Sequence, residues 1–285
     1  MKDVIIIGKG PAGISASLYT ARAGLSTAII STDTSALTKA ELIQNFYGAG
    51  TISGKDLLVR GIEQATQVGV EMIDEEVLDL AYGDSYIVTT DKHVYFAKSV
   101  IIATGSARKS LPIEGLKTLE GRGVSYCAVC DSFFYRKKSV AVLGNSSYAL
   151  HEYNVIKDVA ASAVILTNGL DCDQDFGDAT VYTKKIKQLV DNSKLEKVVF
   201  EDDTTLDIDG LFVALGQASA DVLARKIGAV SENGFVVVDE NKSTNLPGLF
   251  AAGDCTGGLA QISKAVYDGT IAGTAAIKFV KSLGK

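Results

Sequence analysis

The chain has 285 residues, of which 47% are hydrophobic and 22% charged, a composition typical of a soluble globular α/β protein. The composition excludes a disordered or fibrous chain, and the net charge of -6 argues against a general nucleic-acid binder. The apolar run at the start is too short for a signal peptide and no stretch is long enough to span a bilayer, so we expect no membrane contact.

A β-α-β unit opens the chain. Asp3 to Gly8 is typical of a buried strand, Pro11 to Gly24 of a helix, and Ser26 to Thr32 of a second strand. Two strands joined through a helix predict a parallel sheet. Short alternating strands follow between Glu71 and Gly105, and they end in the apolar run SVIIATG.

A second β-α-β unit follows the segment Leu111 to Leu116, where proline and glycine interrupt the pattern. Its parts are a strand from Ser139 to Leu143, a helix from about Ser147 to Val159 and a strand from Ala163 to Thr167. Two more strands ending in glycine, DGLFVALG and GLFAAGD, and a last helix from about Gln261 to Leu283 complete the chain.

These elements predict an α/β fold with two Rossmann-like domains, the second inserted into the first. We assign residues 1–111 and 242–285 to the first domain and residues 112–241 to the inserted one.

The first glycine turn, GKGPAG, matches the dinucleotide-binding pattern G-x-G-x-x-G in the right context, since it follows a strand and opens a helix. We expect its residues to hold a pyrophosphate: Gly8, Gly10, Pro11, Ala12 and Gly13. The acidic residue expected about twenty positions on, for the ribose, is not at the end of the second strand. Ser31, Thr32 or Asp33 must serve, and Asp33 is the only carboxylate among them.

Two of the four cysteines form the C-x-x-C pair Cys127 and Cys130, which suits dithiol–disulfide exchange in a reducing, cytoplasmic compartment. Asp131 follows directly and could give a proton to a departing thiolate. Zinc binding needs a second pair of ligands, and the remaining candidates are scattered, so we predict no metal site: Cys172, Cys255, His93 and His151.

With these residues in place, the chain resembles the low-molecular-weight bacterial thioredoxin reductases over essentially its whole length. The matching segments come in family order: GKGPAG, LTKAELIQNFYG, IIATGSARKSLPIEG, GVSYCAVCDSFFY, DGLFVALG and GLFAAGDC. The resemblance implies a homodimeric enzyme whose first domain binds FAD and whose inserted domain carries a C-x-x-C disulfide that reduces thioredoxin.

The resemblance also implies roles for particular residues. Cys130 would be the sulfur next to the flavin, Cys127 the one that attacks thioredoxin, and Asp131 the proton donor. Further FAD contacts would come from Asn45 near the isoalloxazine, Val77 near the adenine, and residues along the rest of the cofactor: Thr104, Gly105, Gly253, Asp254, Gln261 and Ile262. The family's arginine before this glutamine is Ala260 here.

The second glycine turn departs from NADPH-using relatives. It reads GNSSYA, so Ser146 replaces the middle glycine and Tyr148 adds bulk at the helix entry. The strand after it leads into NGLDCDQDFGD, with four aspartates where such relatives have a basic stretch, and the helix that normally follows is missing. An acidic loop would repel a 2′-phosphate.

The sequence therefore resembles the ferredoxin-dependent flavin thioredoxin reductases, which keep FAD and C-x-x-C and lack the pyridine-nucleotide determinants. We expect a flavoprotein disulfide reductase that takes electrons from ferredoxin. Three alternatives stay open: an NADPH-dependent thioredoxin reductase with a divergent site, an FAD dithiol oxidase that uses oxygen, and a non-enzymatic flavin redox sensor.

Overall fold

The structure is a computed structural model that describes residues 1–32, 35–105, 111–172 and 174–284. Its strands are β1 (Lys2–Ile7), β2 (Thr27–Ile30), β3 (Glu71–Ile73), β4 (Val77–Tyr82), β5 (Tyr86–Thr90), β6 (Val94–Ile102), β7 (Val124–Ser125), β8 (Ser139–Leu143), β9 (Ser162–Leu166), β10 (Val181–Tyr182), β11 (Ile186–Asp191), β12 (Leu195–Phe200), β13 (Thr205–Asp207), β14 (Gly210–Val213), β15 (Ser231–Glu232), β16 (Phe235–Val236) and β17 (Leu249–Ala251). Its α-helices are α1 (Pro11–Arg22), α2 (Gly54–Gln67), α3 (Ala128–Asp131), α4 (Ser147–Lys157), α5 (Ala220–Lys226) and α6 (Ile262–Ser282), with short 3-10 helices at Ala36–Lys39, Ser132–Tyr135 and Asp254–Thr256. Within the described ranges, no helix is long and apolar enough to cross a membrane.

The chain forms two compact units, the first from Met1–Ala107 and Ser219–Lys285 and the second from Arg108–Ala218. The second unit is one continuous segment between the two parts of the first. The predicted α/β fold with an inserted second domain is therefore confirmed.

The chain returns to the first unit at Ser219, earlier than the predicted residue 242. The reason is α5, which packs on β4 of the first unit. Lys226 on this helix donates from Nζ to Leu78 O over 3.0 Å, and the same Nζ lies 3.4 Å from Asp79 Oδ1. No glycine turn or motif marks this helix in the sequence.

The sheet of the first unit has the parallel order β3-β2-β1-β6, and β17 pairs with the second half of β6. β1 and β2 form because their β-branched residues are buried on both faces, as in most parallel sheets. β5 extends the sheet by antiparallel pairing with the first half of β6, and β4 pairs antiparallel with β5 at the edge. Ile7 at the end of β1 pairs with Ile102 at the end of β6, which brings Gly8 beside the residues that follow β6.

Helices α1 and α6 share the core of this unit. Val4, Ile6 and Ile101 of the strands are buried together with Ala16 of α1 and Ala272 of α6. The small helix residues let the two helices pack closely, and this packing determines where the first glycine turn lies.

The second unit has a parallel sheet of order β10-β9-β8-β14-β7. Strands β11, β12 and β13 form a separate antiparallel sheet that the sequence analysis does not predict. Leu143, Leu166 and Leu211 of the parallel sheet share one core with Leu189 and Val198 of the antiparallel one. β7 leads directly into the C-x-x-C segment.

Candidate functional site

The first glycine turn joins β1 to α1 and has the geometry of a phosphate cradle. Gly8 has a φ of +111°, and a Cβ there would lie 2.4 Å from Ala103 O. A Cβ on Gly13 would lie 1.9 Å from Gly8 O, so only glycine fits at both positions. A Cβ on Gly10 would meet no atom within 4 Å, which leaves open space before α1, whose first residue is Pro11. Backbone donors of a helix start beside open space suit a pyrophosphate.

The turn around Gly253 lies against the first turn of α1. A Cβ on Gly253, whose φ is +85°, would lie 2.9 Å from Ala12 Cβ. A Cβ on Gly269 of α6 would lie 2.1 Å from Ala12 O. Asp254 follows Gly253 and begins a short 3-10 helix. Gly253, the residue before Asp254, is therefore brought against Ala12 of the predicted cradle.

A buried ion cluster that the sequence analysis does not identify holds the Gly253 turn. The Asp268 carboxylate is 1% exposed and accepts from Gly253 N over 3.2 Å, from Lys242 Nζ over 2.7 Å and from Lys264 Nζ over 2.8 Å. Lys264 Nζ also donates to Gly253 O over 2.8 Å and to Gly257 O over 2.6 Å. Burial by itself would raise the pKa of Asp268, but the hydrogen bonds from the two lysines hold that pKa below its usual value.

Asn45 and Gln261, predicted to lie along the flavin, meet in the structure. Asn45 Nδ2 donates to Gln261 Oε1 over 3.2 Å, and both side chains are exposed. Gln261 is the N-cap of α6 and Ile262 its first residue. The hydrogen bond joins two segments that are far apart in the sequence, which supports their assignment to one site.

Thr104 gives a second indication of a ligand in the first unit. Its Oγ1 is buried and has no hydrogen-bond partner among the residues that the structure describes, although buried hydroxyl groups are normally paired. Thr104 N would lie 3.1 Å from a Cβ on Gly8, so the unpaired hydroxyl belongs to a residue beside the cradle. An open cradle and an orphaned hydroxyl fit a dinucleotide such as FAD.

The remaining predicted FAD residues occupy separate places. Gly105 follows Thr104 with a φ of +76°. Ser31 and Thr32 follow β2, and Ser31 N donates to Ile73 O over 3.0 Å. Val77 is buried at the start of β4. Asp33 lies outside the described residues, so its predicted ribose contact stays a prediction.

Cys127 and Cys130 are joined by a disulfide that spans α3. Cys127 is the N-cap of this helix, and its Sγ accepts the Cys130 N–H over 3.1 Å. Cys127 is fully buried, whereas Cys130 is half-buried. The two cysteines predicted as a redox pair are thus bonded to each other, and their individual roles stay predictions.

Asp131 is linked to Cys127 through Ser125, a residue to which the sequence analysis assigns no role. Ser125 Oγ donates to Asp131 Oδ2 over 2.6 Å and accepts the Cys127 N–H over 3.1 Å. Asp131 N also donates to Cys127 O over 3.2 Å. These bonds hold the carboxylate of Asp131 in a defined position on the disulfide segment.

Helix α4 contributes two more side chains to this segment, and neither was expected there. Ala128 N donates to Glu152 Oε2 over 2.6 Å, and Tyr148 OH donates to Tyr126 O over 3.2 Å. Both α4 side chains are buried. Sequence reasoning treats Tyr148 only as an obstacle to a nucleotide, because a contact with residues so far along the chain has no local signal.

The second glycine turn, between β8 and α4, keeps the backbone form of a cradle. A Cβ on Gly144 would lie 2.2 Å from Ala214 O, a close approach like that of Gly8. Ser146, at the position of Gly10, has its hydroxyl engaged within the protein, since Oγ donates to Gly216 O over 3.1 Å.

The acidic loop after β9 is bonded to this second turn. Asn145 Nδ2 donates to Asp171 O over 2.7 Å, and Ser147 Oγ donates to Gln174 Oε1 over 3.0 Å. No helix lies between β9 and β10 among the residues described there. Where the first turn faces open space, the polar side chains of the second turn are occupied by contacts within the chain.

The other cysteines and histidines lie apart. Cys255 is buried, and burial raises the pKa of its thiol to about 12. Cys172 is exposed, and His93 Nδ1 lies 2.7 Å from Glu75 Oε1. In the part of the chain that the structure describes, no group of three or more possible ligands could hold a metal ion.

Comparisons with known proteins give consistent results. Residues 2–269 match the family model described as pyridine nucleotide-disulphide oxidoreductase. A thioredoxin reductase of Listeria innocua is 33% identical over 301 aligned positions, which cover 99% of this chain and 94% of that protein. The atypical thioredoxin reductase TRi of Desulfovibrio vulgaris Hildenborough is 36% identical with a TM-score of 0.94, and 99% of each chain is covered. A ferredoxin-flavin thioredoxin reductase of Clostridium acetobutylicum is 31% identical with a TM-score of 0.74, over 100% of this chain and 99% of that one.

Proposed function

The chain belongs to the pyridine nucleotide-disulphide oxidoreductase family as a thioredoxin reductase-like FAD flavoprotein, and from this premise we propose that it reduces thioredoxin with electrons from ferredoxin. The proposed path runs from reduced ferredoxin through FAD to the Cys127–Cys130 disulfide. We further propose that it works as a homodimer in the cytoplasm.

The observation that carries the proposed electron donor is the internal bonding of the second glycine turn. Its polar side chains are bonded to neighbouring loops, with Ser146 held by Gly216 and Asn145 by Asp171. A pyrophosphate at this turn would have to displace these bonds, at a cost of about 1 kcal/mol each. The acidic loop bonded to the turn disfavours a 2′-phosphate further. A ferredoxin-flavin enzyme is among the similar solved structures, which supports the same donor class.

Reduction of the disulfide takes two electrons, whereas ferredoxin delivers one electron at a time. FAD supplies the exchange between single electrons and an electron pair. Two electrons and two protons break the S–S bond and leave Cys127 and Cys130 as thiols, with Asp131 proposed to give one proton. Cys127 then loses its proton and attacks the thioredoxin disulfide as a thiolate, which forms a mixed disulfide, and the thioredoxin thiolate that leaves takes up that proton. Cys130 attacks Cys127 Sγ, which releases dithiol thioredoxin and restores the original bond.

An NADPH-dependent reductase is the second candidate, because one observation favours it. The backbone of the second turn still has the form of a cradle, with Gly144 and Ala149 in close contact at the entry of α4. A ligand that displaced the side chains of Asn145 and Ser146 would find N–H groups at the start of a helix there.

An anaerobic absorbance experiment on the purified holoenzyme separates the candidates. NADPH, NADH or reduced ferredoxin is mixed with the protein, and the loss of flavin absorbance is followed before oxidised thioredoxin is added. We expect ferredoxin to bleach the flavin rapidly and thioredoxin to restore it, while NADPH and NADH act at least a hundredfold more slowly.

Rapid bleaching by NADPH would overturn the proposed donor in favour of the second candidate. Flavin reduction by a small dithiol followed by rapid reoxidation in oxygen would assign the protein as a dithiol oxidase. Bleaching by ferredoxin without any transfer to a disulfide would favour a redox sensor.

A further inference from the structure

The two glycine turns are followed by two equivalent helices, and the same positions of these helices can be compared. When Gly8 is aligned with Gly144, Ala12 of α1 corresponds to Tyr148 of α4. One helical turn further on, Ala16 of α1 corresponds to Glu152 of α4. Positions four residues apart lie on one face of a helix.

In the first unit, this face of α1 packs against glycines of α6. A Cβ on Gly269 would lie 2.1 Å from Ala12 O, and a Cβ on Gly273 would lie 2.7 Å from Ala16 O. The face therefore serves close helix packing, and both of its residues are buried alanines.

In the second unit, the same face of α4 is hydrogen-bonded to the residues on either side of Cys127 in the disulfide segment. Tyr148 is 3% exposed, and its OH donates to Tyr126 O over 3.2 Å. Glu152 is 1% exposed, and its Oε2 accepts the Ala128 N–H over 2.6 Å. The two bonded peptide groups lie on either side of Cys127, so α4 fixes the backbone of this cysteine from both directions.

A buried carboxylate is expensive unless it is hydrogen-bonded, so a side chain of this kind at an inward position needs a reason. The neutral alanine at the equivalent position of α1 shows that the fold itself does not require an acid there. The carboxylate of Glu152 is therefore explained by its hydrogen bond to Ala128 of the disulfide segment.

We propose that Tyr148 and Glu152 are positioning residues for the redox disulfide. Their hydrogen bonds fix the backbone of Cys127 so that its sulfur is positioned for disulfide exchange. Both residues lie on α4, the helix whose start binds the pyrophosphate in a nucleotide-binding domain. The inference rests on the disulfide reductase function but is independent of the electron donor.

The test compares Glu152→Ala, which removes the acceptor, with Glu152→Gln, whose amide oxygen can still accept the Ala128 N–H. Tyr148→Phe removes the second anchor. Glu196→Gln changes an exposed acid of β12, and Tyr153→Phe changes another buried tyrosine of α4, so these two serve as matched controls. The flavin of each holoenzyme is kept reduced by continuous light with EDTA as electron donor and without oxygen, so that turnover of added oxidised thioredoxin gives kcat and KM. The assay therefore gives the same answer whichever donor proves physiological.

We expect Glu152→Ala to lower kcat with thioredoxin about tenfold and to leave KM within about twofold, because a misplaced reacting group slows the reaction without changing docking. Glu152→Gln should return kcat to within about threefold of the wild type. Tyr148→Phe should lower kcat about threefold, and both controls should match the wild type.

A second readout needs no turnover. Dithiothreitol should reduce the Cys127–Cys130 disulfide of Glu152→Ala and Tyr148→Phe several-fold faster than that of the wild type, measured by thiol alkylation of quenched samples, because the buried Cys127 loses its anchors. An unchanged kcat and an unchanged reduction rate in Glu152→Ala would overturn the proposal. So would a Glu152→Gln variant as impaired as Glu152→Ala at equal thermal stability, since a hydrogen bond that positions the segment should survive that change.

Discussion

Where α1 and α6 cross, position 269 has room only for glycine. Gly269→Ala therefore tests whether this close packing fixes the first glycine turn. A Cβ there would lie 2.1 Å from Ala12 O and 2.9 Å from Ser15 Cβ. A carbon atom in contact with a carbonyl oxygen lies about 3.3 Å from it, so the two helices must separate by about 1.2 Å. Because the obstructing atom is backbone, no side-chain rotation can relieve the contact.

The energetic effect follows from two opposing quantities. Overpacking of this kind costs about 1–3 kcal/mol, whereas glycine to alanine within a helix gains about 1 kcal/mol. The difference is about 0–2 kcal/mol, and we expect the free energy of unfolding to fall by about 2 kcal/mol, the upper end, because the obstructing atom is backbone. Ala12 lies in the first turn of α1, so the cradle moves with it, and we expect FAD affinity to fall about tenfold, or about 1.4 kcal/mol.

Urea unfolding of the apoprotein measures the stability, and quenching of flavin fluorescence during titration measures the FAD affinity. Gly61→Ala in α2 is the matched control, because the nearest atoms to a Cβ there belong to the Ile14 side chain, the first at 3.3 Å. That side chain can shift by a few tenths of an ångström, so the control should bind FAD normally. If Gly269→Ala bound FAD as tightly as Gly61→Ala and unfolded at the same urea concentration, the argument from close helix packing would be wrong.

Three further predictions concern single side chains. Asp268→Asn should lower the free energy of unfolding at neutral pH and make it less dependent on pH in acid. Lys242 and Lys264 hold the pKa of folded Asp268 below the unfolded value of about 3.9. The stabilisation by this carboxylate is therefore complete above the unfolded pKa and disappears as pH falls through the folded pKa. Unfolding curves from neutral pH into acid check this, and a parallel decline in variant and wild type would contradict it. Thr104→Val should stabilise the apoprotein by about 1 kcal/mol, since it removes an unpaired buried hydroxyl, yet weaken FAD binding about fivefold; weaker binding together with lower stability would count against a ligand role. Cys127→Ser should abolish turnover with thioredoxin while the flavin stays reducible by light, and surviving turnover would reverse the roles assigned to the two cysteines.

The first glycine turn could be predicted because its requirements are local. The strand, the glycines and the following helix are adjacent in the sequence, and Gly8 and Gly13 lie where any side chain would strike backbone. The C-x-x-C pair is predictable for the same reason. Both features are short motifs that adjacent residues of the sequence are enough to identify.

The parts that were missed depend on contacts between distant segments. Lys242 and Asp268 meet only after the chain returns to the first unit, and Glu152 meets Ala128 only after α4 packs on the disulfide segment. Strands β11 to β13 mix charged and apolar residues without strict alternation, and no motif directs attention to them. Nothing local distinguishes such residues from ordinary surface or core positions.

The two glycine turns differ in how their polar groups are bonded within the chain. Beside the first turn, the Thr104 hydroxyl has no hydrogen-bond partner among the described residues, and the space before α1 is open, so a bound cofactor can satisfy that hydroxyl without breaking an internal bond. In the second turn, Ser146 and Asn145 already donate to backbone oxygens of neighbouring loops, so the same cofactor type would have to compete with bonds that folding has made. A single backbone design can therefore hold a cofactor in one unit and position a disulfide in the other. The change requires few substitutions, because the strand, the close glycine contact and the helix remain in place while the inward face of the helix changes from alanine to tyrosine and glutamate.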